Sequence, residues 1–395
     1  MIQLKKFGEV CDFVRGPFGG SLKKSCFVEE GYAVYEQQHA IYDQFSEIRY
    51  FVDEEKFNEM KRFELKTNDL IMSCSGTMGK VAIVPENVKR GIINQALLKL
   101  TPKDFLDVQY LKYWMSSPDF DERIQENTVG AAIKNVASVK VLKQIDVPIP
   151  PIEEQKQIVA LLDKAFTAIQ QAKANIEKNI ENAKELFQSK LNAIFGQKGE
   201  CWEEKTLGEV CENLDKKRIP ITKSKRVEGE IPYYGASGIV DYVADYLFDE
   251  DLLLVSEDGA NLLARTYPIA FSISGKTWVN NHAHVLKFES MTSQIFIEYY
   301  LNSIKLDDYI SGMAQPKLNQ KKLNSIVIPF PSKDIQEKTV ELVENLNDNK
   351  NKIIRGYEQK LFSLEDLKKS ILQKAFSGKL TNELSVRSEQ LAVNN

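Results

Sequence analysis

The chain is written twice. Phe7-Gly8-Glu9-Val10-Cys11 returns as Leu207-Gly208-Glu209-Val210-Cys211, an offset of 200 residues from 7 to 207. Val147-Pro148-Ile149-Pro150-Pro151 returns as Ile328-Pro329-Phe330-Pro331-Ser332, and Gln155 as Gln336, now at an offset of 181. That offset persists without a gap through Leu186 and Leu367, Ser189 and Ser370, Leu191 and Leu372, Phe195 and Phe376, and Lys198 and Lys379. Whatever fold one copy adopts, the other must adopt as well, so the repeat constrains the architecture before any residue-level argument. Each copy is a variable part followed by a part of fixed length, and the variable part is 19 residues shorter the second time, the difference between 200 and 181.

Landmarks persist within the variable parts. Asp69-Leu70-Ile71-Met72 resembles Asp251-Leu252-Leu253-Leu254, Asn94-Gln95-Ala96 resembles Asn281-His282-Ala283, and Tyr110-Leu111 resembles Tyr300-Leu301. Runs such as Val81-Ala82-Ile83-Val84 before Pro85, and Leu252 to Val255 before Glu257-Asp258-Gly259, are short, apolar and bounded by turn formers, which reads as strands. A helix is predicted across each part, over Val108 to Met115 and Ile295 to Ile304. The expectation is two mixed α/β domains, 1–150 and 198–331, each with a twisted antiparallel sheet.

The fixed part has a different period. Ile158, Leu162, Ala165, Ile169, Ala172, Ile176, Ile180, Ala183, Phe187, Leu191 and Ile194 follow at spacings of three or four, while Lys, Glu, Gln and Asn fill the other faces, the pattern of one amphipathic helix. Pro150-Pro151 ends the preceding strand, Glu153 and Glu154 suit the positive helix start, and Gly196 follows the last apolar turn. The second copy starts near Ser332, a capping residue, and carries Val340, Val343, Leu346, Ile353, Tyr357, Leu361, Leu364, Leu367 and Ile371, with Lys350 interrupting the stripe and Gly378 beyond its end. A helix of ~40 residues is ~60 Å long, too long to bury its stripe on one domain. The two helices, 151–197 and 332–380, are therefore expected to pair as an antiparallel coiled coil with a domain at each end, followed by a tail at 381–395.

Composition sets bounds. The 395 residues are 43% hydrophobic and 27% charged, ordinary for a globular chain of two or three domains. No run approaches the ~20 apolar residues of a membrane span and no signal peptide opens the sequence, so a cytoplasmic protein is expected. Five cysteines without a CxxC pair suggest neither a disulfide framework nor zinc. A net charge of −4 argues at first against nucleic acid, yet basic clusters recur: Lys5-Lys6, Lys23-Lys24, Lys61-Arg62, Lys89-Arg90, Lys216-Lys217-Arg218, and Lys223, Lys225 and Arg226. Each also fits a solvated surface.

Catalytic signatures are sparse. Ala270-Phe-Ser-Ile-Ser-Gly275-Lys276-Thr277 has the spacing of a phosphate loop, but such a loop must open a helix, and Trp278-Val279-Asn280-Asn281 are poor helix formers. A β-hairpin turn is the competing reading. Gly16-Pro-Phe-Gly-Gly-Ser21 lacks a βαβ context, and Gly76-Thr-Met-Gly-Lys80 reads as a turn. His282 and His284 would share a strand face, but no cysteine or acidic cluster stands near them in sequence, so no metal is expected. With His39 the only other histidine, acid-base catalysis has little to work with, and no Asn/Asp-Pro-Pro-Tyr/Phe tetrapeptide of adenine methyltransferases occurs. The chain reads as a reader rather than a catalyst.

The order of these elements resembles the specificity subunits of type I restriction-modification systems. The resemblance covers essentially residues 1 to 380 and rests on Trp202 with Leu207-Gly208-Glu209-Val210, Val147 to Pro151 followed by Glu154-Gln155 and Ile158, the twin endings Leu191 to Lys198 and Leu372 to Lys379, and Tyr234-Gly235-Ala236-Ser237-Gly238 with Asp258-Gly259-Ala260. Two departures are Ile2, where the second copy has Trp202, and Ser332-Lys333-Asp334, which departs from the proline-acid signature. The resemblance implies a non-catalytic subunit in which each domain reads one half of a bipartite double-stranded DNA target and the helices space the halves. It further implies two methylation subunits, which use S-adenosylmethionine, and restriction subunits, which use ATP and Mg; no cofactor is expected in this chain. Groove reading requires loop side chains that reach base edges and basic residues that hold phosphates. The residues so placed are Arg15, Lys23, Ser75, Thr77, Lys80 and Asn94 in the first domain, and Tyr234, Ser237, Asn261, Lys276, Asn280, Asn281 and His282 in the second. A stand-alone two-headed DNA-binding protein is the alternative, and a nucleotide-dependent enzyme built on Gly275-Lys276-Thr277 a third.

Overall fold

A computed structural model of the chain describes residues 3–18, 20–126, 138–197, 202–312 and 314–377; Gly378 and the tail at 381–395 lie outside them. The chain divides into two units. The first comprises the chain up to Asn175 and again from Lys360, and the second runs Ile176–Gln359. Each unit thus holds one globular domain and part of both long helices.

The first unit contains β1 (Gln3–Lys6), β2 (Cys11–Arg15), β3 (Tyr32–Tyr35), β4 (Phe51–Val52), β5 (Leu70–Ser73), β6 (Val81–Ile83), β7 (Gly91–Ile93), β8 (Leu97–Pro102) and β9 (Asp146–Ile149). One sheet runs β2-β8-β5-β6, antiparallel throughout, and a second runs β4-β3-β7, in which β3 and β7 are parallel. The expectation of an antiparallel sheet therefore covers only part of the domain. A parallel pair needs a long crossover, and the 50-odd residues between Tyr35 and Gly91 conceal it from local pattern. The central strand β5 is buried on both faces, which is why Leu70-Ile71-Met72 is continuously apolar rather than alternating. Phe7 packs edge-on against Phe13, Trp114 and Phe120, and Ile158 and Leu162 of the first long helix close the same core together with Leu372 and Ala375 of the second.

The second unit repeats the plan with β10 (Glu203–Thr206), β11 (Glu212–Asn213), β12 (Ile231–Gly235), β13 (Gly238–Val243), β14 (Phe248–Asp249), β15 (Leu252–Ser256), β16 (Ala270–Ile273), β17 (Lys276–Val279), β18 (Ala283–Lys287) and β19 (Val327–Phe330). Its sheets are β11-β18-β15-β16 and β13-β12-β17-β14, again with one parallel pair, β12 beside β17. Both sequence offsets reappear as hydrogen-bond register: β1 pairs with β9 so that Gln3 faces Ile149, and β10 with β19 so that Glu203 faces Phe330. Phe296 packs with Phe195 of the first long helix, and Val340 and Val343 of the second enter that core.

The long helices run Ile152–Gly196 and Lys333–Phe376. Ser332 precedes the second, its carbonyl accepting from the Ile335 and Gln336 amides at 3.0 Å each. The buried Gln155 amide donates to the Pro150 carbonyl at 2.9 Å, and buried Gln336 does the same to Pro331 at 2.8 Å, so both copies lock strand end to helix start identically. In the first unit Lys173 pairs with Glu365, while Lys368 lies 5.1 Å from the Phe166 ring. As one residue number rises the other falls, which is antiparallel pairing. In the second unit Lys350, the apparent interruption of the stripe, lies 4.4 Å over the Phe187 ring of the first helix and donates to Asn347 at 2.6 Å, its stem contributing to the contact. Burial lowers its pKa.

Candidate nucleic-acid interface

In the first unit the parallel strands β3 and β7 end side by side, and there the chain turns away from the sheet. The Asn94 amide donates to the Tyr35 carbonyl at 2.9 Å, and its side chain accepts from the Ala96 amide at 3.0 Å, folding the turn from β7 into β8. Gly16 lies so close that a Cβ there would sit 1.8 Å from the Asn94 carbonyl oxygen. Burial pushes the neighbouring Cys74 thiol up to about 11, while the charge and hydrogen bond of Arg15 work against that rise. The loop from Ser75 to Lys80 crosses the same end, with Gly76 and Gly79 at φ of 62° and 76°, and exposes Thr77 and Lys80. Arg15, Asn94 and this loop therefore meet. Lys23 is exposed beside a short 3-10 turn at Lys24–Cys26, and among the described residues no hydrogen bond or ion pair joins its side chain to that group.

The second unit builds the same corner from other residues. The Asn280 amide donates to the Tyr234 carbonyl at 3.0 Å, and the Asn280 side chain accepts from the His282 amide at 2.8 Å. Tyr234, Ser237, Asn280, Asn281 and His282 converge, since the β12–β13 turn is tied in by Ser256 donating to the Ala236 carbonyl at 2.5 Å. Two predicted residues stand apart. Lys276 begins β17, four residues or ~13 Å along the strand from Asn280, and lies 4.8 Å over the Tyr246 ring. Asn261 is spent on its own loop, bonding the Tyr267 backbone through both ends of its amide at 3.0 Å.

Two sequence readings need correction here. The structural partner of Asn94 is Asn280, not Asn281, because Asn280 makes the two equivalent hydrogen bonds. Gly275-Lys276 is not a hairpin turn: β16 pairs with β15, whereas β17 pairs with β12 and β14, so the turn passes between sheets. Lys276 opens a strand rather than a helix, which leaves no row of free helical amides for phosphate.

The surroundings of His284 also differ from expectation. Asp215 and Glu257 lie beside it, the three bringing ligand atoms within 4.8 Å of one another, an acidic cluster drawn from segments remote in sequence. His284 is buried; Nδ1 lies 2.6 Å from Asp215 and Nε2 2.7 Å from the Leu318 carbonyl. Arg218 donates to Glu257 at 2.6 Å, to the Ala283 carbonyl at 2.7 Å and to the Asp215 carbonyl at 3.0 Å, and Lys317 lies 3.2 Å from Glu257. Burial opposes the charge on both carboxylates, but these hydrogen bonds and cations prevail and hold Asp215 and Glu257 below the usual range. With each carboxylate met by a cation, the cluster is a buttress under the corner. Of the basic run, Arg218 thus faces inward and Arg226 pairs with Asp241 at 2.8 Å, while Lys216, Lys217, Lys223 and Lys225 remain exposed. The sequence reading missed Asp258, whose two oxygens lie 3.0 and 2.9 Å from His282 Nδ1.

The sequence matches the type I restriction modification DNA specificity domain twice, over residues 2–182 and 199–362. A stretch of 142 residues is 36% identical to a Haemophilus influenzae protein inferred to be the type I restriction enzyme specificity subunit S.HindORF215P, and one of 126 residues is 30% identical to the Escherichia coli EcoBI specificity subunit. These stretches cover 36% and 32% of this chain but only 36% and 25% of those relatives. The MjaVIII specificity subunit of Methanocaldococcus jannaschii is 25% identical over 363 residues, covering 81% of each chain. Among solved structures, a chain from work on assembly and conformational transition of the type I R-M system superposes with a TM-score of 0.71 over 96% of this chain and 98% of that one, at 16% identity. The HsdS subunit from Thermoanaerobacter tengcongensis gives 0.55 over 96% and 97%, also at 16% identity. Both establish the fold, and the double match, spanning most of the sequence, establishes the lineage: the chain belongs to the type I restriction-modification DNA specificity family.

Proposed function

We propose that this chain is the sequence-reading subunit of a type I methylation and restriction assembly, each domain (1–150 and 198–331) recognising one half of a bipartite, asymmetric DNA target. The observation that carries this reading is the corner built twice: an asparagine pinned to a tyrosine carbonyl at the end of a parallel strand pair, surrounded by different side chains in each copy. One frame holding two different loop sets is what two different half-sites require. The long helices act as the spacer and as the dock for two methylation subunits, with restriction subunits joining them. S-adenosylmethionine, ATP and Mg belong to those partners, and this chain performs no chemistry itself. No described helix is long and apolar enough to cross a membrane, and an assembly that acts on chromosomal DNA would work in the cytoplasm.

The test is an exchange of domains. Replacing residues 1–145 with the first domain of another family member, in cells that carry the methylation subunits, should alter one half of the methylated motif and preserve the other. A swap that changes both halves, or only the gap between them, refutes the division of labour.

A further inference from the structure

His282 is exposed, yet it is held as firmly as a core residue. Its amide is taken by the Asn280 side chain at 2.8 Å, and its carbonyl accepts from the Glu257 amide at 2.9 Å. Asp258, which faces its ring, is fixed just as tightly, bridged to Lys317 and followed by the Gly259 amide donating to the Pro316 carbonyl at 3.1 Å. The preceding residue, Glu257, is the one gripped by Arg218 and Lys317. A side-chain hydrogen bond this open to solvent, with exposures of 52% and 22%, adds little to stability.

We infer that Asp258 and His282 form a base-reading couple in the second domain, in which Asp258 holds the imidazole in the tautomer protonated at Nδ1 and so leaves Nε2 facing outward as an acceptor. In the major groove an acceptor pairs with the exocyclic amine of adenine or cytosine and finds no partner on guanine O6 or thymine O4. Asp258 is thus a positioning residue: a carboxylate can only accept, so it fixes which ring nitrogen carries the proton. The inference rests on the proposed reading of half-sites and adds to it the chemical class of one base.

The experiment uses the full chain assembled with its methylation subunits, scoring methylation of a duplex library randomised across the second half-site. With the wild-type protein one position should favour adenine or cytosine. His282→Ala should reduce that preference about tenfold and leave the first half-site unchanged. Asp258→Asn, whose amide can also donate to Nδ1 and free the other tautomer, should shift the same position toward guanine or thymine. His282→Gln, which retains an acceptor and adds a donor, should narrow it to adenine. Unchanged base preference in all three variants overturns the inference. So does an equal loss on every sequence with a shallower salt dependence, the signature of a phosphate contact. Failure of the underlying function looks different, since the wild-type assembly would then show no bipartite preference at all. Thermal midpoints within a few degrees of wild type identify the variants that fold, and either His282 variant suffices if Asp258→Asn does not.

Discussion

The guanidinium of Arg218 lies 2.6 Å from the Glu257 carboxylate, both side chains only 13% exposed, although 39 residues separate them. Removing one partner of such a pair leaves the other charge buried. Arg218→Ala should therefore cost the second domain on the order of 3 kcal/mol. Lys223→Ala, at an exposed neighbour in sequence, should cost nearly nothing. Denaturant titration of the two variants checks the difference, and equal midpoints would show that Arg218 is not a structural residue.

The same network fixes a pH dependence. Asp215 and Glu257 are held below their ordinary range in the folded chain, so their contribution is complete above the unfolded carboxylate values and fades as pH falls through the folded ones. Wild-type stability should decline from about pH 5 downward. Asp215→Asn should be less stable at neutral pH and show a shallower acid decline, measured by thermal midpoint between pH 7 and pH 3.

Exposed lysines should carry the phosphate term. Lys223 and Lys225 are exposed and lie in a short 3-10 turn at Lys223–Lys225, whereas Arg226 is held by Asp241. Changing both to alanine should lower the slope of log affinity against log salt by about 2 without altering the motif, whereas Arg226→Ala should act on stability. Binding isotherms at three salt concentrations decide between these effects.

Glycine positions give a contrast. At Gly16 a Cβ would meet the Asn94 carbonyl at 1.8 Å, so Gly16→Ala must push the corner apart and should lower stability by roughly 2 kcal/mol or more, with loss of recognition. At Gly356, inside the second long helix, a Cβ meets nothing within 4 Å, and Gly356→Ala should stabilise the protein by up to about 1 kcal/mol. Calorimetry on both variants tests the opposite signs.

The helices were legible because a 3.6-residue period shows within any two turns of sequence, and the strands because apolar runs stop at glycine, proline and asparagine. The parallel pairs β3–β7 and β12–β17 were not, since their partners lie dozens of residues apart. Matching Ala96 to Ala283 in sequence pairs Asn94 with Asn281, one residue off, and only the hydrogen bonds to Tyr35 and Tyr234 fix the register on Asn280. Arg218 closes a run of three basic residues and reads as surface; its burial depends on Glu257 and Ala283, which no local pattern connects to it. Asp258 reads as part of a turn in sequence, and only the fold brings it beside His282.

Leu372 and Ala375, near the end of the second long helix, sit in the core with Phe7 and Trp114, whereas the second unit is one unbroken stretch of chain. On the ribosome the order of completion is therefore reversed. The domain made second has all its parts first, and the domain made first waits with an open core until the last helical turns emerge. A stop codon a few residues before Leu372 would harm the earlier-translated of the two domains, and a chaperone attending this chain would find its client there.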